Sequence, residues 1–280
     1  MSVSVAYLGP PGTYAEAATE AYLRTLPNEV IKEYILNPYP TIAQALQAVA
    51  QGEATLAVVP VENSIEGNVA LTLDTIWQLE GLQIQQALVL PIENTLLSRA
   101  SSLEEIKTVY SHPQPLGQCQ RWLEKFLPSV QLVPTNSTVQ AIKYLENNNT
   151  TAAIASARAA RLYDIPILVP SINDYPDNCT RFWLVSLKPS PGGSHTSLAF
   201  STHDVPGALV KPLQVLASRG INMSRIESRP TKRSLGEYIF FIDLEADASQ
   251  PNIQEALTEL ASHTEIVKLF GSYNVLPIDQ

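Results

Sequence analysis

Strand-length apolar runs alternate with helix-spaced segments along the 280-residue chain, and the alternation repeats. Val3 to Leu8 is a short apolar run, Gly9-Pro10-Pro11-Gly12-Thr13 a tight loop, and Tyr14 to Leu26 an alanine-rich helix. The same plan returns with Lys107 to Tyr110 as strand, Ser111-His112-Pro113-Gln114-Pro115 as loop and Leu116 to Phe126 as helix. A second pair also matches. Helices starting at Thr41 and at Ser137/Thr138, each with an N-cap hydroxyl, precede the buried strands Thr55–Val59 and Thr151–Ala155. The economical reading is two βαβ lobes of similar layout. Ligands of open α/β sheets bind beyond the carboxyl ends of the strands. The loops after Leu8, Pro60, Tyr110 and Ala155 should therefore face a cleft between the lobes.

Lys188-Pro-Ser-Pro-Gly-Gly-Ser194 has the composition of a linker. It divides the chain into 1–187, a linker at 188–194, and 195–280. The last unit reads βαββαβ, the ferredoxin-like order. Its strands are Ser197–Thr202, Ile221–Ser228, Glu237–Glu245 and Ile266–Tyr273. Its helices are Pro206–Arg219, with Gly220 as C-cap, and Asn252–His263, with apolar residues at i, i+3, i+4 and i+7. The fold class is thus α/β, with two lobes followed by a smaller α+β unit.

The 18 basic and 27 acidic residues argue against nucleic acid or an anionic membrane as partner. A small anion held by helix N-termini and hydroxyls remains compatible with that charge. The N-terminus has no secretory pattern and no apolar run has membrane length, so the expected location is cytoplasmic. Cys119 and Cys179 lie outside any ligand spacing and read as reduced thiols; no metal or cofactor is expected.

Four loops concentrate polar chemistry. Gly9-Pro-Pro-Gly-Thr-Tyr14 reads as a structural turn or a binding loop, and lacks the ending of a P-loop. Pro60-Val-Glu-Asn-Ser-Ile-Glu-Gly67 puts two carboxylates, an amide and a hydroxyl into five positions, as a capped turn or a site. Ser111-His-Pro-Gln114 holds a lone His, as cap or as site residue. Asn178-Cys-Thr-Arg-Phe182 precedes an apolar strand, Trp183 to Leu187; a thiol nucleophile there would lack a visible His and orienting amide.

In this order these four motifs resemble those of prephenate dehydratases. Gly207-Ala-Leu209 and Glu227-Ser-Arg-Pro230 resemble the phenylalanine-binding motifs of the ACT domain in the same enzymes. The likeness spans essentially the whole chain. It implies a two-lobed catalytic domain of the type II periplasmic-binding-protein kind at 1–187 and an ACT regulatory domain at 195–280. The implied reaction is decarboxylative dehydration of prephenate to phenylpyruvate in phenylalanine biosynthesis, with no cofactor. By resemblance, Thr180 donates to the leaving hydroxyl. Glu66 is the alternative acid if burial raises its pKa. Thr13, Asn63, Ser64, Ser111, His112 and Gln114, with Arg181 and Phe182, are the expected substrate contacts. Arg181 could instead brace Glu62 or Glu66. The effector L-phenylalanine would sit on Gly207, Ala208, Leu209, Asn222, Glu227, Ser228, Arg229 and Pro230, unless Glu227 and Arg229 form a surface ion pair. A homodimer or homotetramer is implied. Departures are Ala15 where Ser is usual, Asn94 where His is usual, and Pro115 and Gly117 where alanines are usual. No segment ahead of the first loop has the length of a chorismate mutase, so a single activity is expected. Competing readings are arogenate dehydratase and a two-lobed amino-acid-binding module without catalysis.

Overall fold

A computed structural model describes residues 2–27, 34–146 and 148–279. The first lobe opens with β1 (Val3–Leu8), α1 (Tyr14–Arg24), β2 (Tyr34–Tyr39) and α2 (Ile42–Ala50). It continues through β3 (Leu56–Asn63), β4 (Gly67–Asn68), α3 (Ala70–Gln78) and β5 (Gln83–Pro91). The second lobe holds β6 (Thr95–Ser98), β7 (Thr108–Ser111), α4 (Pro113–Gln118), α5 (Gln120–Phe126) and β8 (Gln131–Pro134). After them come α6 (Thr138–Ile142), β9 (Thr151–Ala155), α7 (Ala157–Leu162) and β10 (Ile167–Val169). The chain then returns to the first lobe as β11 (Cys179–Ser186). The C-terminal unit comprises β12 (His195–Ser201), α8 (Val210–Ser218), β13 (Met223–Pro230), β14 (Tyr238–Leu244), α9 (Pro251–Ser262) and β15 (Ile266–Tyr273). A last strand, β16 (Val275–Pro277), follows.

Three sheets result. The first lobe has the order β16-β5-β11-β3-β1-β2, with β4 hairpinned onto β3. The second runs β10-β6-β9-β7-β8, and the third β13-β14-β12-β15. The chain crosses between lobes twice, after β5 and before β11, which is the expected two-lobe plan. The apolar runs at 56–59 in β3 and 152–155 in β9 follow from burial on both faces. In the first lobe, α1 covers one face with Val5, Tyr7, Val58, Leu88 and Phe182. The other face packs α2 and α3, and also the third sheet. Trp183, Val185, Ile84 and Ala87 share one core with Ala199, Ile239, Phe241, Phe270 and Tyr273. The two helices α8 and α9 cover the far face of that third sheet.

Several elements differ from the sequence reading. The expected helix Leu116–Phe126 is two helices that meet at Cys119 (φ −119°, ψ 14°). Asp174, arriving from the returning crossover, accepts the backbone N–H groups of Arg121 and Trp122 at 2.9 and 3.0 Å and so caps the second. The strand expected from Trp183 begins at Cys179, which places Thr180 inside the sheet. The helix expected from Pro206 begins at Val210, after turns through Val205 to Leu209, so Gly207 does not open it. The segment 188–194 is seated against the sheet: Ser190 Oγ accepts Ser272 N–H and Gly193 N–H donates to Asp247, both at 2.8 Å. The last strand leaves the third sheet altogether. β16 pairs in parallel with β5 of the first lobe, Val275 opposite Ala87.

Candidate active site

A cavity of about 730 Å³ opens between the lobes at the carboxyl ends of β1, β2, β3, β7 and β8. Lobe one contributes Leu8 to Pro11, Thr13, Tyr14, Asn63, Thr180 and Phe182; lobe two contributes His112, Gln114, Gln118 and Asn136 to Thr138. Among the described residues that line it there is no Lys, Arg, Asp or Glu. Positive potential comes instead from helix N-termini: Thr13 caps α1 and Thr41 caps α2, and both helices start at the cavity wall.

Thr180 is 8% exposed and faces this cavity. Its Oγ1 accepts from Asn63 Nδ2 at 3.0 Å. That bond leaves the hydroxyl proton free to point at a ligand, and a donor on the oxygen makes the proton easier to give. Asn63 is held on every side. Its Nδ2 also donates to Asn178 Oδ1 (2.8 Å) and Cys179 O (3.1 Å), and its Oδ1 accepts the N–H groups of Ile65 and Glu66. Gln118, from lobe two, donates to Asn63 Oδ1 at 3.5 Å and accepts from Asn178 and Asn94. Asn63, Asn94, Gln118 and Asn178 are all buried, so this amide network fixes which way each one points.

A bulge makes the pairing of Thr180 with Asn63 work. Thr180 lies opposite Asn63 and Arg181 opposite Glu62, but Phe182 lies opposite Pro60. Val61 is the extra residue. Pro60, which has no N–H for the ladder, sits where the pairing is already irregular. As a result Pro60 and Asn63 both reach the cavity, while Val61 and Glu62 turn to the opposite face.

The other candidate residues divide. Thr13 donates to Leu8 O at 2.8 Å and caps α1; His112 caps α4, its Nδ1 accepting Gln114 N–H at 3.3 Å. Burial lowers the His112 pKa. The imidazole is therefore neutral, and with Nδ1 accepting, Nε2 carries the proton on a cavity-lining ring. Ser111 is buried and spends its hydroxyl on Ile154 O. Ser64 is exposed and ties its backbone and hydroxyl to Cys179. Neither lines the cavity. Glu66 is exposed on the turn and also lies outside the cavity lining, so the burial that an acid role requires is missing. Arg181 points away, to Glu62 (3.4 Å) and Asp243 (3.2 Å). Glu62 is the bracing partner, and Arg181, expected among the substrate contacts, lies outside the cavity lining. Burial pushes the Cys119 thiol up to about 12, which keeps it protonated and unreactive.

Beside the cavity the lobes are joined by charge. Arg158 of α7 meets Glu16 (2.9 Å) and Glu20 (2.6 Å) of α1. Glu16 also accepts from Gly12 N–H (2.7 Å) and Tyr7 OH (2.9 Å). Burial alone would raise the Glu16 pKa, yet these donors hold it below the ordinary carboxylate value. The Gly9–Thr13 loop is thus fixed from both lobes, with Tyr163 OH donating to Pro11 O at 3.0 Å.

Residues outside the expected contacts had readable signals. Gln118 stands four positions after Gln114 on one helix face, and Asn178, named in the fourth motif but not among the expected contacts, stands just before β11 and two positions before Thr180. Asn94, noted as a departure, joins the amide network, and Tyr14 OH donates to it at 3.1 Å and to Glu93 O at 2.7 Å.

Of the residues assigned to an effector, Glu227 accepts from Asn68 at 2.8 Å and Arg229 pairs with Asp74 at 2.9 Å, both partners in the first lobe. They do not pair with each other as a surface ion pair. Gly207 (φ +80°) is exposed with open space where a side chain would stand, and Ala208 and Leu209 are half-buried. Asn222, Ser228 and Pro230 are exposed. Among the described residues no helix is long and apolar enough to cross a membrane.

Comparison with known proteins agrees with this architecture. The family model for prephenate dehydratase matches residues 5–190, and that for the ACT domain matches residues 196–262. A prephenate dehydratase of Lactococcus lactis is 37% identical over 99% of this chain and 100% of its own. The crystal structure of prephenate dehydratase from Arthrobacter aurescens in complex with L-Phe superposes with a TM-score of 0.85. It is 36% identical and covers 97% of this chain and 90% of that one. A structure described as a novel type of quorum quenching acylase is 30% identical with a TM-score of 0.78, covering 96% of each chain. With a family match over about two thirds of its length and a relative aligned end to end, this chain belongs to the prephenate dehydratase family and carries an ACT domain at its C-terminal end.

Proposed function

We propose that the interlobe cleft carries out the family's reaction, conversion of prephenate to phenylpyruvate, with Thr180 donating to the departing hydroxyl. The observation that carries this reading is the Asn63–Thr180 hydrogen bond at the wall of an uncharged cavity. Prephenate is a dianion. Overall it takes up one proton and releases water and carbon dioxide. The electron pair of the broken carbon–carboxylate bond enters the ring, which becomes aromatic as the carbon–oxygen bond breaks. General acid assistance to the leaving oxygen contributes typically about 10²–10⁴ in rate. The ring carboxylate loses its charge in the transition state, so an arginine clamp on it would stabilise the ground state and slow the step. The cavity has none. Neutral donors from His112, Gln114 and the backbone N–H groups at the start of α1, where Thr13 serves as cap, suit the pyruvyl carboxylate, whose charge persists.

Among the described lining residues there is no Asp or Glu to meet the ammonium group that the arogenate side chain carries, which favours prephenate as the substrate. The regulatory unit reads as a phenylalanine sensor in a homodimer or homotetramer, seated around Gly207 to Leu209, Asn222 and Ser228. The reading places the enzyme in the cytoplasm. Phenylpyruvate absorbance appearing from prephenate tests the activity. Turnover of arogenate at equal or greater kcat/KM refutes the substrate choice. Phenylpyruvate formation absent from a folded protein refutes the activity, and hydrolysis of an acyl amide in its place would favour the acylase reading.

A further inference from the structure

Thr180 and Asn63 point into the cleft, and the residues next to them in sequence point the other way, into the seam with the ACT sheet. Arg181 follows Thr180, and Glu62 precedes Asn63; the two meet at 3.4 Å across adjacent strands. On the ACT side stands Asp243, with a fully buried side chain. Its carboxylate accepts from Arg181 Nη1 (3.2 Å), Arg225 Nε (2.7 Å), Arg225 Nη2 (3.1 Å) and Ser197 Oγ (2.5 Å). Arg225, also buried, uses its remaining arm on Asn68 Oδ1 at 2.7 Å. Asn68 is the residue of β4 that lies opposite Glu62, and it donates onward to Glu227. The neighbours of both members of the catalytic pair are therefore held by side chains of β13 and β14.

We propose that Asp243, Arg225 and Arg181 are positioning residues, through which the ACT sheet sets the strand that presents Thr180 to the substrate. This rests on the reading of Thr180 as the donor to the leaving group. The physical case has two parts. A buried carboxylate with two guanidinium partners fixes relative position tightly, because loss of one partner leaves charge buried without compensation. A side chain misplaced by about 1 Å at a reacting group costs on the order of 10²-fold in rate. Strand alternation makes the coupling short: one peptide unit separates Arg181 from Thr180, and one separates Glu62 from Asn63. The strand that carries Arg225 also carries Glu227 and Arg229. A ligand that shifts β13 therefore moves the anchor of the catalytic strand without needing a longer path.

The test uses the full-length protein and three single variants, Arg181→Gln, Asp243→Asn and Asn68→Ala, with Arg181→Lys as the conservative rescue. Each is assayed for kcat and KM with prephenate, and for folded fraction by circular dichroism. The expected result is a fall in kcat per folded molecule of roughly tenfold or more for Arg181→Gln, with KM within about twofold, and partial recovery in Arg181→Lys. The double variant Arg181→Gln/Asp243→Asn should lose no more than the worse single variant, because both act through one contact. If Asp243→Asn does not fold, Arg181→Gln and the double variant Arg181→Gln/Asn68→Ala give the same comparison. A kcat per folded molecule unchanged in Arg181→Gln and Asn68→Ala overturns the proposal, as do losses that multiply in the double variant. Thr180→Ala separates the two levels: full turnover there sinks the reading of Thr180, whatever the seam variants do.

Discussion

On the proposed reading Thr180 combines two roles on one oxygen, accepting from Asn63 and donating to the substrate, and mutations can separate them. Thr180→Ala removes the donor and leaves the Asn63 amide with two other acceptors. The fold should lose only about 0.5–1.5 kcal/mol, while kcat falls by roughly 10² or more. Thr180→Ser keeps the donor and should retain part of the rate. Near wild-type turnover by the alanine variant, measured beside its thermal midpoint, rules out the donor role. Glu16 supports a second prediction, on pH. Its folded-state pKa lies below the ordinary value of 4.5, through the donors from Gly12, Arg158 and Tyr7 that outweigh burial. A depressed carboxylate stabilises the fold above its unfolded pKa and loses that contribution as pH falls through the folded value. The gap in thermal midpoint between wild type and Glu16→Gln should thus be full at neutral pH and shrink on acidification below about 4.5. A gap that stays constant into acid would refute this linkage. At this scale the motifs named both residues that line the cavity, Thr180, Asn63, His112 and Gln114, and residues that do not, Glu66, Ser64, Ser111 and Arg181, because a motif marks a polar loop without saying which face of the turn or strand each side chain takes.

That facing is decided by elements, and chiefly by the bulge at Val61. Regular pairing would put Asn63 and Pro60 on opposite faces; the extra residue puts both at the cavity. The run Asn178 to Phe182 reads as a loop for a related reason. Its polar residues serve two polar surfaces, the cleft on one face and the buried charged seam on the other, so strand alternation of apolar and polar is absent. The break at Cys119 was equally hidden, since the cap comes from Asp174, more than fifty positions later. The Pro-Gly-rich connection was legible as a connection, but its glycines serve close approach as well as flexibility. A Cβ on Gly193 would stand 2.3 Å from the carbonyl carbon of Tyr273, and its φ is +152°. Gly193→Ala should therefore cost about 2–4 kcal/mol through overlap and backbone strain. A chemical-denaturation midpoint unchanged by this substitution would mean the connection is looser than the geometry shows.

At the level of the whole molecule the sequence made the lobes and the ACT unit visible, because each has its own local periodicity. What it did not reveal is how they join, since that depends on contacts between residues far apart in the chain, 62 positions for Arg181–Asp243 and 188 for Gln86–Asn274. If the ACT unit binds phenylalanine against substrate binding, calorimetry should show phenylalanine weakening prephenate affinity by the same factor as the reverse experiment. Unequal factors, or no heat from phenylalanine, would refute that regulation. The join itself gives the firmer prediction. The composition of 188–194 suggests that a chain ending near Ser190 would be a free-standing catalytic domain. The structure argues otherwise on two counts. Phe241, Phe270, Tyr273 and Ile239 complete the core around Trp183 and Val185, so truncation bares a large apolar face. It also removes β16, which covers the edge of β5. The burial lost with these four side chains, each worth about 1.5–3 kcal/mol, is comparable with the whole stability typical of a domain, about 5–15 kcal/mol. The truncated chain should aggregate or unfold without a cooperative transition, and show no turnover of prephenate. Removing only residues 275–280 should leave a folded enzyme with a lower thermal midpoint, because the seam persists while the β5 edge is freed. A soluble 1–190 fragment that melts cooperatively and turns over prephenate would show that the first lobe closes its core without the ACT sheet.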